Sequence, residues 1–147
     1  MKRYAWAVLG LGLCAAGPSE ARGQAVNPPP LVELKQNYPN PFNPATTIPF
    51  SLSGGLFANG HQPKVTLRIY NVLAQLVATP ILQGTGEPLE ELALSCGSAA
   101  GCSFSAYWDG KVQIGNRQSG AEAASGVYIY QLIVDGRRYT KKMIVMK

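Results

Sequence analysis

The chain has 147 residues, the size of a single domain, and 46% of them are hydrophobic, enough for one packed core. The formal net charge is +5. Outside the amino-terminal segment, the cations gather mainly near the end of the chain and do not alternate with aromatic residues that would stack on bases. We therefore expect no nucleic-acid partner.

Residues 1–25 have the pattern of a secretory signal peptide. Lys2 and Arg3 precede an apolar run from Tyr4 to Ala16, and small and polar residues follow as far as Ala25. The apolar run is too short to span a bilayer, which takes about 20 such residues. We predict cleavage after Ala25 and export through the general secretion route.

Residues 26–44 are rich in proline and asparagine and predict an extended arm. The run from Tyr38 to Pro44 contains three prolines, which fix φ and lack a backbone donor, so neither a helix nor a central strand is expected. The ring of Phe42 and that of Tyr38 then lie on a stiff, kinked segment suited to an apolar surface. Composition alone is equally consistent with a proline-rich linker.

Alternation of apolar and polar residues predicts strands in residues 45–147. The predicted strands are Thr46 to Leu52, Lys64 to Tyr70, Leu76 to Thr79, Cys102 to Trp108, Gly126 to Val134 and Tyr139 to Met146. Pro49 is expected to confine the first of them to a sheet edge, because it has no N–H to give to a ladder. Six or seven short strands with regular turn signals predict an all-β fold, an antiparallel β-sandwich.

Local signals in the second half of the chain predict two turns and part of the core. Asp135-Gly136 predicts a two-residue hairpin turn. Tyr128 and Tyr130 have the spacing of a tyrosine corner, which places both inside the core. Trp108 is expected on the inward face of its strand, and Asp109 is expected to cap the following turn by accepting backbone N–H bonds.

Residues 53–63 and 111–125 are predicted to be long loops. Residues 81–101 have no clear pattern, and Leu89, Leu92 and Leu94 fit either a strand or a short helical turn. Cys96 and Cys102 are the pair left after the predicted signal peptide, and in an exported protein such a pair indicates a disulfide. A metal site would need further ligands, so we expect none.

No group of residues has the pattern of an active site. His61 is the one histidine and lies in a glycine-rich loop, so a nucleophile–histidine–acid triad is not expected. Three surface tyrosines, Tyr70, Tyr107 and Tyr139, fit either cross-strand packing or a carbohydrate-binding face. We predict a non-enzymatic protein without a cofactor or a small-molecule substrate.

The run LKQNYPNPFNPATTIPF (residues 34–50), followed by VTLRIYNVLAQLV, YWDG, SGVYIYQL and YTKKMIVMK, resembles the C-terminal sorting domain (type A) of bacterial type IX secretion. That domain is similar to the immunoglobulin-like module of the flagellar hook-capping protein. The matching pieces fall in order across residues 34–147. The resemblance implies an immunoglobulin-like sandwich that the outer-membrane secretion machinery recognises, and a final location at the outer-membrane surface or outside the cell.

The resemblance also implies which residues are recognised: Tyr38, Pro39, Asn40, Pro41, Phe42, Asn43, Pro44, Lys142, Met143 and Lys147. Members of this family carry a large passenger ahead of the domain, whereas few residues precede it here. The alternative is therefore a free-standing immunoglobulin-like subunit of a surface or filament assembly. Such a subunit would bind copies of itself or other surface proteins by strand addition, with residues 26–44 as the donated segment. A carbohydrate-binding module is a third interpretation.

Overall fold

The computed structural model of the chain describes Gly17, Gly23, Ala25 and residues 27–115 and 117–147. Apart from those three residues, the predicted signal peptide lies outside the described part. Strands account for 52% and helix for 6% of the structure, and the sheets are antiparallel. The all-β class is therefore confirmed.

Eleven strands and one short 3₁₀ segment, Gly54–Gly60, are present in the described residues. The strands are β1 (Val32–Leu34), β2 (Thr46–Ser53), β3 (Lys64–Tyr70), β4 (Leu76–Ala78), β5 (Ile81–Leu82), β6 (Leu92–Ala93), β7 (Gly101–Trp108), β8 (Lys111–Ile114), β9 (Arg117–Glu122), β10 (Gly126–Val134) and β11 (Arg137–Val145). All six strands that periodicity predicted are among them.

The predicted number of six or seven strands is too low, because five further strands escape the alternation rule. β1, β5 and β6 have three residues or fewer, too short to show a period of two. β8 and β9 form a hairpin inside the connection that was predicted to be a loop, and every residue of β9 is exposed. A strand without a buried face carries no apolar alternation.

The strands form two main sheets and the separate β8–β9 hairpin. Sheet A has the order β1-β2-β7-β5, and sheet B has the order β11-β10-β3-β4, with β6 also paired to β3. β1 and β11 are edge strands of their sheets. The segment between β1 and β2 therefore starts at the edge of sheet A, and its contacts with β11 are described below.

Pro49 lies in an interior strand, because β2 is paired with β1 on one side and with β7 on the other. The prediction that this strand is a sheet edge is therefore wrong. The Pro49 carbonyl accepts a hydrogen bond from the Lys35 N–H at 3.0 Å, so the backbone of Pro49 faces β1. β1 ends at Leu34, and after the single bond from Lys35 to Pro49 the next backbone pairing is that of Tyr38 with Thr47. The missing N–H of Pro49 thus falls at a gap in the pairing.

The inward faces of both sheets contribute to one hydrophobic core. Its fully buried members include Ile48, Phe50 and Leu52 of β2, Val65, Leu67 and Ile69 of β3, and Tyr130, Leu132 and Val134 of β10. Trp108 and Tyr128 are also buried, with ring centroids 5.9 Å apart. The Tyr128 hydroxyl donates to the Ala124 carbonyl at 2.8 Å, which is the backward hydrogen bond of a tyrosine corner.

Cys96 and Cys102 form the disulfide that the sequence predicted. The loop that it closes packs tightly against the start of the 3₁₀ segment. A Cβ atom added to Gly54 would lie 1.8 Å from the Ala99 carbonyl oxygen, so only glycine fits at this contact. The disulfide therefore fixes a loop that also touches the end of β2.

The two predicted turns are also present. β10 and β11 are joined by Asp135 and Gly136, whose φ values of 47° and 83° are those of a two-residue hairpin turn. The Asp109 carboxylate accepts the Lys111 N–H at 3.0 Å and so caps the turn after Trp108, as predicted.

Candidate recognition surface

Residues 35–44 connect the edge of sheet A to the edge of sheet B and contact both. At its start the segment pairs with β2: the Tyr38 N–H donates to the Thr47 carbonyl and the Thr47 N–H donates to the Tyr38 carbonyl, each at 2.9 Å. The peptide bonds before Pro39, Pro41 and Pro44 are cis. We call the exposed residues of 38–44, together with Lys142 and Lys147, the candidate recognition surface.

Asn37 anchors this segment through a buried polar network. Its N–H donates to the Tyr130 hydroxyl at 3.1 Å, and its side-chain amide donates to the Thr46 hydroxyl at 3.0 Å. The Pro39 carbonyl accepts bonds from both the Asn37 amide, at 3.2 Å, and the Thr46 hydroxyl, at 3.1 Å. Asn37 and Thr46 are each only 2% exposed. Each polar group in the network therefore has a partner that replaces water.

Sequence reasoning missed Asn37 and Thr46, although one signal for Thr46 was present. Thr46 has the same parity as Ile48, Phe50 and Leu52, the apolar face of the predicted strand. A hydroxyl on the buried face of a strand needs a hydrogen-bond partner. That requirement points to a polar residue elsewhere in the chain, but it does not identify Asn37.

Phe42 fixes the middle of the segment to both sheets. Its side chain is 2% exposed, and its ring meets that of Trp108 edge to face at 5.4 Å. Its backbone pairs in parallel with β11: its N–H donates to the Ile144 carbonyl and its carbonyl accepts the Met146 N–H, each at 3.0 Å. Phe42 is therefore a positioning residue, and its ring is not displayed on the surface.

Two side-chain contacts complete the junction with β11. The Asn40 side-chain oxygen accepts the Ile144 N–H at 3.0 Å, and the Gln36 amide donates to the Lys142 carbonyl at 2.9 Å. The carboxyl-terminal half of the outer β11 edge is thus occupied by residues 36–42 of the same chain.

The end of the segment is held by the turn that follows β7. A Cβ atom added to Gly110 would lie 2.0 Å from the Pro44 carbonyl oxygen, and Gly110 has a φ of 80°. Glycine is therefore needed here both for the backbone conformation and for the close approach.

The structure brings most of the residues implied by the resemblance to one surface. Eight are exposed: Tyr38, Pro39, Asn40, Pro41, Asn43, Pro44, Lys142 and Lys147. Met143, like Phe42, is buried and does not display its side chain. The Lys147 amine lies 3.3 Å from the Glu122 carboxylate. The proline–asparagine run and the last strand, about a hundred residues apart in sequence, are therefore in direct contact.

The three surface tyrosines do not form one platform. Tyr70 and Tyr139 belong to sheet B, and Tyr107 belongs to sheet A. Tyr139 packs against the hydrophobic core. Their arrangement fits cross-strand packing better than a shared face for a sugar.

Two further pairs of ionisable side chains lie elsewhere on the surface. Arg68 forms an ion pair with Glu90 at the wall of a cleft of about 460 Å³. His61 lies 2.8 Å from Asp135, and this hydrogen bond, together with one from the Lys64 N–H, lowers the pKa of the Asp135 carboxyl. Within residues 27–115 and 117–147, no three histidine, cysteine or acidic side chains are grouped so as to hold a metal ion.

None of the helical segments in the described part of the chain is long and apolar enough to cross a bilayer.

Comparison with known proteins does not assign the chain to a family. No family model matches the sequence, and no curated protein matches it. One solved structure, the Pseudomonas fluorescens alkylpurine DNA glycosylase AlkC bound to DNA containing an abasic site analog, is similar at a TM-score of 0.42 and 13% identity. The similarity covers 80% of this chain and 31% of that chain. A likeness of this size carries no argument about function.

Proposed function

We propose that the chain is a non-enzymatic secretion-sorting domain of the type IX kind, exported through the general secretion route and recognised by the outer-membrane translocon. The observation that carries the proposal is the contact of Phe42 and Asn40 with Ile144 in β11. These residues belong to the two most separated pieces of the sequence resemblance. Their contact makes a single surface from pieces that the resemblance implies are both recognised.

The proposed architecture is an immunoglobulin-like β-sandwich formed by sheets A and B. Two features support it: both sheets contribute to one core, and Tyr128 makes the hydrogen bond of a tyrosine corner. In this arrangement residues 35–44 close one side of the sandwich, where the edges of the two sheets meet.

The physical basis of recognition is a surface that is already ordered before it is bound. The side chain of Tyr38 is 58% exposed, while the backbone on either side is fixed by Asn37 and Phe42. A fixed surface loses less conformational entropy on binding than a flexible tail does. The exposed Lys142 adds a positive charge beside it.

The test is a fusion of residues 26–147 to an inert periplasmic reporter in a host that has type IX secretion. We expect the reporter at the cell surface, and its retention in the periplasm would count against the proposal. The double variant Tyr38→Ala, Asn43→Ala, which alters two exposed side chains, should reduce surface display without reducing thermal stability. The matched control is Ile114→Ala with Arg117→Ala, two exposed residues of the β8–β9 hairpin.

A further inference from the structure

The outer edge of β11 has an occupied half and a free half. Because Val134 pairs with Arg137 across the two-residue turn, the odd-numbered backbone groups of β11 face β10 and the even-numbered groups face outward. The contacts made by Ile144 and Met146 with residues 40–42 agree with this parity.

Toward the start of β11, the outward groups are free. In the part of the chain that the structure describes, the N–H and C=O of Arg138, the N–H and C=O of Thr140 and the N–H of Lys142 have no hydrogen-bond partner. These five groups extend over about 14 Å of a regular strand. They continue the same edge on which Phe42 already pairs with Val145.

Four cations lie along the free half. Arg138 and Lys142 are exposed on the outward face of the sheet, and Arg137 and Lys141 lie on the alternate positions. Within the described residues, none of the four is within salt-bridge distance of a carboxylate. A strand laid against this edge would therefore meet positive charge along both of its faces.

This charge pattern disfavours pairing between the β11 edges of two copies of the chain. An antiparallel pairing of two β11 edges about a two-fold axis at Thr140 places Arg138 of each copy opposite Lys142 of the other. Like charges directly opposite each other destabilise a strand pair, and a row of cations is a common protection of sheet edges. The same row favours a partner strand that carries carboxylates at the facing positions.

We propose that the free edge from Arg138 to Lys142 is a strand-addition site for an extended acidic segment of another protein. Main-chain hydrogen bonds to Arg138 and Thr140 supply the binding, and two carboxylates four residues apart, facing Arg138 and Lys142, supply the selectivity. This inference does not depend on the export function, because the backbone groups of Arg138 and Thr140 make no hydrogen bond to residues 36–42.

The probe is a short synthetic peptide in which glutamate and threonine alternate, added to the purified ¹⁵N-labelled chain. We expect saturable shifts of the Arg138, Thr140 and Lys142 amide signals and slower hydrogen exchange of the Arg138 and Thr140 N–H groups. Shifts that are absent, or that centre on another part of the chain, would overturn the proposal.

Two control peptides separate strand addition from simple attraction between opposite charges. A peptide in which lysine replaces glutamate should not bind. A glutamate–threonine peptide with an N-methyl group on every residue keeps its charge but loses its main-chain donors on both edges, and it should bind about tenfold more weakly or worse. Equal binding of the N-methylated peptide would show an unstructured electrostatic contact and refute the site.

The variant Thr140→Pro tests the same site by a change in the protein instead of the peptide. The Thr140 N–H faces away from β10, so proline removes an outward donor without removing a β10–β11 hydrogen bond. We expect peptide binding to fall by about tenfold or more, while Thr140→Ala stays within about twofold of the unaltered chain. Unchanged binding by a folded Thr140→Pro variant would contradict the proposal, and the N-methylated peptide provides the same test if that variant does not fold.

Discussion

The hydroxyl of Tyr130, in the middle of β10, donates a hydrogen bond to the carbonyl of Lys35 at 2.8 Å. The same oxygen accepts the Asn37 N–H. Burial raises the pKa of Tyr130 to about 12, although the bond from Asn37 lowers it in part, so the hydroxyl stays protonated and remains a donor at neutral pH. A core strand of sheet B thus holds the start of residues 35–44.

Tyr130→Phe should therefore lower the unfolding free energy by more than the removal of an exposed tyrosine hydroxyl does. It leaves the buried Asn37 N–H without its acceptor, which costs about 1–3 kcal/mol of unfolding free energy. Urea unfolding measures the change, and Tyr107→Phe, which removes a hydroxyl from the surface of sheet A, is the control. An equal effect of the two substitutions would show that the Tyr130 bonds contribute nothing.

Phe42→Ala should be one of the most damaging single changes in the segment. The buried ring contacts Trp108, and loss of a buried phenylalanine costs about 3–5 kcal/mol. Tyr38→Ala, four residues away and mostly exposed, should change the unfolding free energy by no more than about 0.5 kcal/mol. Denaturant midpoints of the two variants test the contrast, and a small loss for Phe42→Ala would mean that the segment is not seated in the core.

Gly110→Ala separates backbone conformation from close packing. Both Gly110 and Gly60 have a positive φ, but only at Gly110 would a new Cβ meet another atom, the Pro44 carbonyl oxygen. Gly60→Ala should cost about 1 kcal/mol, the ordinary penalty for a left-handed alanine. Gly110→Ala should cost clearly more and should shift the NMR signals of Asn43 and Ala45. Equal losses of stability for the two variants would argue against the contact.

The Asp135–His61 pair makes a pH-dependent contribution. Because the pKa of Asp135 is lowered in the folded state, its contribution is present above the ordinary value of 3.8 and is lost as the pH falls through the folded value. His61→Ala should raise the Asp135 pKa toward its ordinary value, which carboxyl NMR titration measures directly. It should also reduce stability at pH 7 more than at a pH below the folded value. A titration curve unchanged by His61→Ala would contradict this assignment.

Removal of the disulfide should cost a moderate amount of stability. The bond joins residues 6 apart, and on the chain-entropy model so small a loop contributes about 2 kcal/mol. The double variant Cys96→Ser, Cys102→Ser should show this loss in chemical unfolding and should retain the β-rich circular dichroism spectrum. A loss of the whole fold would contradict this moderate contribution.

The strands that could be predicted from the sequence are those long enough to have two distinct faces. β3 and β10 have the predicted bounds because seven and nine residues of alternation mark them. β5 and β6 have two residues each, and they are strands only because the longer β7 and β3 provide their hydrogen-bond partners. The interior position of β2 was missed because Pro49 removes a single N–H group, on one side of the strand, and the rest of the strand can still pair on both sides.

The candidate recognition surface could be identified in part from the sequence. The proline–asparagine run can be recognised by its composition. Composition does not distinguish Tyr38, which is exposed, from Phe42, which is buried. That difference is made by Trp108 and by the β11 backbone, which are distant in sequence. No local pattern near residue 40 indicates that Asn40 caps an N–H of Ile144.

The pairing of Phe42 with Val145 has a consequence for the order in which the chain reaches its final form. A chain that lacks its last strand offers the Phe42 backbone no strand to pair with, so residues 40–42 reach their final positions only once residues 144–146 are in place. A product truncated before β11 would therefore differ in conformation at Tyr38 and Asn40 as well as at its own cut end.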